Sequence, residues 1–239
     1  MESFSDEKVE LADGVMMPIS GFNTLHTKEE NVKAAVDMFM DKGIRCIHIE
    51  NSAKNLEAVG KAVSDYCATH NLTRQDIFYV LWLSIEEIWS SEEPDIFVAD
   101  YLKQANLEYV DLIILRNDIL ILEENDKSTV PYKLAGTWRS MEKYYELKYT
   151  KSIAISHMQS TNAEIILNCA TVKMKAFFVI NNSNMSLNLS KKFCQQQKIP
   201  CINHYWNTVP DEKVITSENI RGAFYSRNRT PSIYMTRLP

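Results

Sequence analysis

Val9 to Met17 alternates apolar and polar residues around Asp13-Gly14. That dipeptide favours the positive φ values of a tight turn, so the chain is expected to open with a β-hairpin. Ile19 to Leu25 follows as a short strand. Lys28 to Asp41 then carries Val32, Ala35, Val36 and Phe39 at helical spacing before Lys42-Gly43 stops it. Ile44 to Ile49 predicts a buried strand, and Lys54 to His70 a helix with Leu56, Val59, Val63 and Tyr66 on one face.

The alternation then repeats. Ile77 to Leu83 is a continuous apolar strand, Pro94 to Gln104 a helix opened by proline, and Tyr109 to Leu115 a second buried strand. Asn117 to Ala135 is the longest irregular connection. Thr137 to Leu147 predicts a helix with Trp138, Met141, Tyr144 and Tyr145 towards the core. Strands at Ser152 to Ile155, Ala176 to Ile180 and Pro200 to Tyr205 alternate with helices at Asn162 to Ala170 and Leu189 to Gln197. Strands separated by helices imply parallel pairing with right-handed crossovers, and this many in one unit favour a (β/α)8 barrel over an open sheet.

The pattern changes near the end. Thr216 to Tyr225 predicts a helix, Thr230-Pro231 the start of another, and no apolar strand follows. The expectation is a TIM-type barrel with an N-terminal hairpin, incomplete at its eighth βα unit. Such a barrel has an open edge with unpaired backbone groups, which closure, a partner or a local rearrangement must satisfy.

Composition narrows the classes. With 239 residues and 45% hydrophobic content, residues 1–239 suit one large domain with no internal linker. The longest apolar runs, such as Phe78 to Leu83, fall far short of the ~20 residues of a membrane span. Met1 to Glu10 is acidic and lacks a secretory layout, so a cytoplasmic, reducing setting is expected, with Cys46, Cys67, Cys169, Cys194 and Cys201 as free thiols. The cysteines and histidines show no zinc spacing, and no metal is expected. A net charge of −5 argues against nucleic acid and anionic membrane as partners. The six glycines form no phosphate-binding motif.

Several segments carry a family resemblance. Val9-Glu-Leu-Ala-Asp-Gly14 with Met17-Pro18, Gly21-Phe-Asn-Thr24 and Gly43 to Gly60 occur in order near the start. Leu107-Glu-Tyr-Val-Asp-Leu112, Thr137-Trp138 with Met141-Glu142, and Lys151-Ser-Ile-Ala-Ile-Ser156 follow. Their order and spacing from about Val9 to Thr236 resemble the aldo-keto reductase superfamily. The resemblance implies a TIM barrel that holds NADPH across its mouth and reduces a carbonyl. In that chemistry a tyrosine donates the proton, a lysine held by an aspartate acidifies it, and a histidine orients the carbonyl oxygen.

At the four matching positions this sequence has His48 for the aspartate, Ala53 for the tyrosine, Trp82 for the lysine and Arg116 for the histidine. Alanine cannot donate a proton and tryptophan supplies no cation. The positions resembling cofactor contacts are Thr24, Ser156, His157, Asn182 and Tyr205, with His157 in place of an asparagine and Asn182 in place of a glutamine. The family grips the adenosine phosphate with residues on and after its eighth strand, and no counterpart to them is read here. No cofactor is therefore expected, although NADPH stays open by resemblance.

His48, Glu50, Arg116 and His157 should lie near the barrel mouth. The favoured reading pairs Arg116 with Glu50 or a nearby acid in the space a cofactor would take, with Trp82 as a plug. The reading is a degenerate barrel acting as a binding, regulatory or scaffold pseudoenzyme, whose partner, unknown, or second copy docks at the open edge. The alternative is an NADPH-dependent oxidoreductase, or an enzyme of altered chemistry using His48 or Arg116 on a small ligand.

Overall fold

The computed structural model describes residues 7–25, 27–50, 54–117, 129–179, 184–206 and 232–237. Strands β1 (Lys8–Glu10) and β2 (Met16–Pro18) pair antiparallel with Val9 opposite Met17, forming the expected hairpin. Gly14 takes φ +83° in the turn, a conformation that favours glycine. Val9, Leu11 and Met17 are buried and cap one end of a barrel interior.

The barrel wall begins with β3 (Ser20–Asn23), α1 (Glu29–Asp41), β4 (Cys46–Glu50), α2 (Leu56–Thr69) and β5 (Phe78–Ser84). It continues with α3 (Ile85–Trp89), α4 (Phe97–Gln104), β6 (Val110–Arg116), α5 (Val130–Glu146), β7 (Thr150–Ser156) and α6 (Ser160–Cys169). Then come β8 (Phe177–Val179), α7 (Asn184–Gln197), β9 (Cys201–Trp206) and β10 (Ser232–Arg237). Strands β3 to β9 are parallel neighbours in chain order.

The barrel is closed, which corrects the expectation of a missing eighth strand. β10 lies between β9 and β3 and is antiparallel to both, with Ile233 opposite Trp206 on one side and Gly21 on the other. Ser232–Arg237 is thus a strand where the proline suggested a helix start. The eighth βα unit is still not of the ordinary kind, because its strand is reversed. An open barrel edge for a partner or a second copy is correspondingly absent: both sides of β10 are paired. The predicted helix at Thr216 to Tyr225 lies outside the described residues.

Smaller differences have local causes. The helix expected from Thr137 starts at Val130, with Pro131 in its first turn where the missing N–H costs nothing. Gly136 is tolerated inside it because a Cβ there would come within 3.0 Å of the Trp89 ring. The unpredicted α3 is started by Ser84, whose hydroxyl accepts from Glu87 N–H at 3.1 Å while the Glu87 carboxylate accepts from Ser84 N–H at 2.6 Å.

Period-two alternation divides the wall. Ile47, Ile49, Leu81, Leu83, Ile113, Leu115, Ile153 and Ile155 face the helices, packed with Val36, Phe39, Val63, Trp138 and Met141. Cys46, Val80, Trp82, Leu112, Ile114, Ala154 and Phe178 fill the interior. The same alternation puts side chains of chemical interest on the interior face of β4 to β7 at their carboxyl ends.

Candidate functional site

His48 stands in the middle of β4 and is fully buried, as is Trp82 on β5. The Trp82 indole N–H donates to His48 Nδ1 at 2.9 Å. An indole can only donate, so Nδ1 must be the unprotonated nitrogen and the proton sits on Nε2. Nε2 in turn faces Cys46 Sγ at 3.4 Å. Burial pushes the His48 pKa down to about 3, so the ring is neutral and its tautomer fixed. Burial also pushes the Cys46 thiol up, which keeps it un-ionised.

Glycine makes room for this arrangement. A Cβ on Gly21 would lie 2.7 Å from His48 Cδ2 and Nε2. The ring therefore rests on bare backbone of β3. Trp82 packs edge-on against Phe178 across the interior, with centroids 6.2 Å apart.

One layer nearer the mouth, the Glu50 carboxylate is buried and doubly held. Its Oε2 accepts from the Arg116 guanidinium at 3.1 Å, and its Oε1 from Asn23 Nδ2 at 3.3 Å. The Arg116 side chain keeps 25% of its surface exposed against 2% for Glu50, so the cation forms the solvent side of the pair. The expected pairing of Arg116 with Glu50 is what the structure contains. Ser84 is level with Arg116 on β5, and Ser156 on β7.

Two of the positions resembling cofactor contacts are engaged internally. Thr24 is fully buried and donates its hydroxyl to His48 O at 3.1 Å. Ser156, also fully buried, shares a 2.8 Å hydrogen bond with His157 Nδ1. His157 itself has the left-handed φ of +57°. Tyr205 lies in β9 opposite Tyr234. Ala53 and Asn182 lie outside the described residues, as does the Tyr205 side chain.

Asn23 and Cys46 were not singled out as site residues in the sequence. The signal was available: Cys46, His48 and Glu50 share one face by alternation, as do Gly21 and Asn23. No group of three or more possible metal-binding side chains occurs among the described residues. None of the described helices is long and apolar enough to cross a membrane.

Chemically, the inner end of this mouth has few free hands. The histidine is neutral and spent on two neighbours, the carboxylate is neutralised by an arginine, and the two buried hydroxyls have partners. No described side chain here combines an acidified hydroxyl with a cation beside it.

Comparison with known proteins gives these features a context. No protein-family model matches the chain. Mouse aldo-keto reductase family 1 member C18 is 29% identical over 213 residues, covering 81% of this chain and 64% of the relative. Human member C2 is 31% identical over 185 residues, covering 70% and 55%. The chain thus spans less than two thirds of these curated relatives. Among solved structures, the aldose reductase of Schistosoma japonicum superposes with a TM-score of 0.67 at 22% identity, over 82% of this chain and 67% of the other. A Bombyx mori aldo-keto reductase in complex with NADP gives 0.67 at 18% identity, over 86% and 69%. The family resemblance and the barrel fold read from the sequence are both borne out.

Proposed function

We propose that this chain, a member of the aldo-keto reductase superfamily, is a pseudoenzyme of the cytoplasm that binds or organises a partner and does not reduce carbonyls. The observation that carries the reading is the Trp82 to His48 hydrogen bond at 2.9 Å inside the barrel. It occupies the two positions where the resemblance expects a lysine and its aspartate, with a neutral pair that can neither hold nor acidify a proton donor. The Arg116–Glu50 pair, at 3.1 Å, fills the layer above.

The cofactor reading follows the same logic. The relative from Bombyx mori was solved with NADP. In this chain the Thr24 and Ser156 hydroxyls already serve His48 O and His157. The Thr24 hydroxyl, which donates inward, keeps only acceptor capacity for a nicotinamide, and the reading gives the cofactor no role. A partner would have to use a face other than the barrel wall, since β10 is paired on both sides.

A second reading rests on one feature. The Arg116 side chain is a quarter exposed at the mouth, which gives the mouth a solvent-facing cation that would draw in a small anionic ligand. That would make the chain a small-ligand binder or an enzyme of altered chemistry.

Two measurements decide. Calorimetric titration of the full chain with NADPH should give no saturable heat, and NADPH oxidation with a panel of aldehydes should stay at the buffer rate. Turnover that disappears in Arg116→Ala or Trp82→Phe would overturn the pseudoenzyme reading. Saturable binding of a carboxylate or phosphate compound, lost in Arg116→Ala, would favour the second.

A further inference from the structure

The hairpin end of the barrel carries a cavity of about 490 Å³, and three polar side chains on its wall have hydrogen-bonding capacity to spare. Lys8 lines it from β1 and Arg45 from the segment before β4, and neither forms an ion pair with a described carboxylate. Arg45 is held by backbone: its Nη1 donates to Met40 O at 2.7 Å and to Ile44 O at 2.8 Å. Its Nε and Nη2 make no hydrogen bond with a described residue. Ser20 also lines the cavity, and its buried hydroxyl has no partner among the described residues. A buried hydroxyl left in that state costs free energy until something satisfies it.

We propose that this cavity binds a phosphate monoester of a small apolar alcohol. Charge selects the head group: two cations without carboxylate partners match the near-dianion that such an ester is at neutral pH. Its oxygens only accept, which suits a guanidinium edge, an ammonium and a serine O–H turned by rotation about χ1. The acids on the wall do not cancel this attraction. Asp111 is held by Arg74 at 3.0 Å and Lys151 at 2.8 Å, two cations to one acid. Asp76 has its Oδ2 turned to its own chain, accepting from the Thr73 N–H at 2.7 Å and the Thr73 hydroxyl at 2.8 Å.

The apolar part of the wall selects the body. Met16, nearly half exposed, lies beside the cavity, and Pro18 and Phe78 extend the same lining. Covering that surface adds affinity that bare phosphate cannot collect. The three polar groups come from separate elements that the fold brings together. Lys8 pairs with Pro18 across the hairpin, two residues before Ser20 opens β3, and Arg45 O accepts from Phe78 N–H at 2.7 Å. Arg45 precedes the first residue of β4 and Glu50 is its last, so the cavity and the mouth lie at opposite ends of the barrel. The site is therefore independent of the mouth and of what the mouth does.

The test is calorimetric titration of the full chain with phenyl phosphate, which should reveal one saturable site, whereas phenol should show none. Inorganic phosphate should bind about tenfold more weakly than the ester, for want of the apolar body. Lys8→Ala is expected to weaken the ester about tenfold and Ser20→Ala about fivefold, with thermal unfolding used to verify that both variants fold. Arg116→Leu should leave the affinity unchanged, which separates this cavity from an anion site at the mouth. Absence of saturable heat with phenyl phosphate, an undiminished affinity in Lys8→Ala, or loss of binding in Arg116→Leu would each overturn the proposal.

Discussion

The two ends of the barrel solve the problem of polar groups in opposite ways. At the hairpin end, Asp111 is wedged between Arg74 at 3.0 Å, Lys151 at 2.8 Å and the backbone N–H of Tyr79 at 2.9 Å. The Arg74 guanidinium also lies over the Tyr109 and Tyr79 rings, at 4.1 and 4.7 Å. One acid there is over-served by cations that reach it from water. At the mouth, Glu50 has one cation and one amide, and His48 and Trp82 have each other. The hairpin end gives its acid two cations and a backbone donor, whereas at the mouth Glu50 has one cation and His48 Nδ1 one indole donor. An acid served by several donors should tolerate the loss of one, and an acid with one cation should not.

That contrast can be broken most directly at Arg116. Arg116→Leu leaves the buried Glu50 carboxylate with Asn23 alone, and the expected loss is roughly 3 kcal/mol of unfolding free energy. Urea denaturation measures it, and Arg116→Leu combined with Glu50→Gln should recover most of the loss. A loss below about 1 kcal/mol would mean that the mouth is as redundant as the hairpin end.

Trp82→Phe comes next. It strips His48 Nδ1 of its donor and leaves a gap beside Phe178, at an expected cost of about 2 kcal/mol. Tyrosine at the same position should not rescue it, because its hydroxyl would not lie where the indole N–H lies.

His48 also predicts a pH dependence. Its folded pKa is depressed to about 3, while an unfolded histidine titrates near 6.5. Between those values the unfolded chain takes up a proton that the folded chain refuses. Stability from this group is therefore complete above about pH 6.5 and falls as pH drops towards 3, by up to about 1.4 kcal/mol per unit. Denaturation midpoints from pH 7 to 4 should show the slope, and His48→Gln should flatten it. An unchanged slope in the variant would assign the acid sensitivity to other groups.

Lys151→Ala should have the smallest effect. Its side chain is nearly half exposed, and Asp111 retains Arg74 and the Tyr79 N–H. A change under about 1 kcal/mol is expected from the same urea experiment, and a larger one would remove the supposed redundancy.

Legibility in the sequence follows the range of the information each feature needs. Asp13-Gly14 and the period-two runs are local, so the hairpin and the parallel strands could be read directly. Arg116 with Glu50 could be anticipated because both close strands on the same face. The Trp82 to His48 bond could not, since it depends on register: Trp82 is level with Glu50, and His48 with Val80, so the partners meet on a diagonal. Ser232–Arg237 was missed because its alternation, Ile233 and Met235 against Tyr234 and Thr236, is short and follows a proline that suits a helix start. Nothing local announces that a strand will run against its neighbours.

The reversed strand also sets an order of events. β9 and β10 share five register pairs, whereas β10 meets β3 through three, joining Ser232, Ile233 and Tyr234 to Phe22, Gly21 and Ser20. The first contact closes a modest loop, and the second closes one that contains nearly the whole barrel, with a far greater entropic cost. The seam between β3 and β10 is therefore the last to zip during folding. It is also the first at which amide protons should exchange with solvent, so the barrel breathes along one line set by where its final strand comes home.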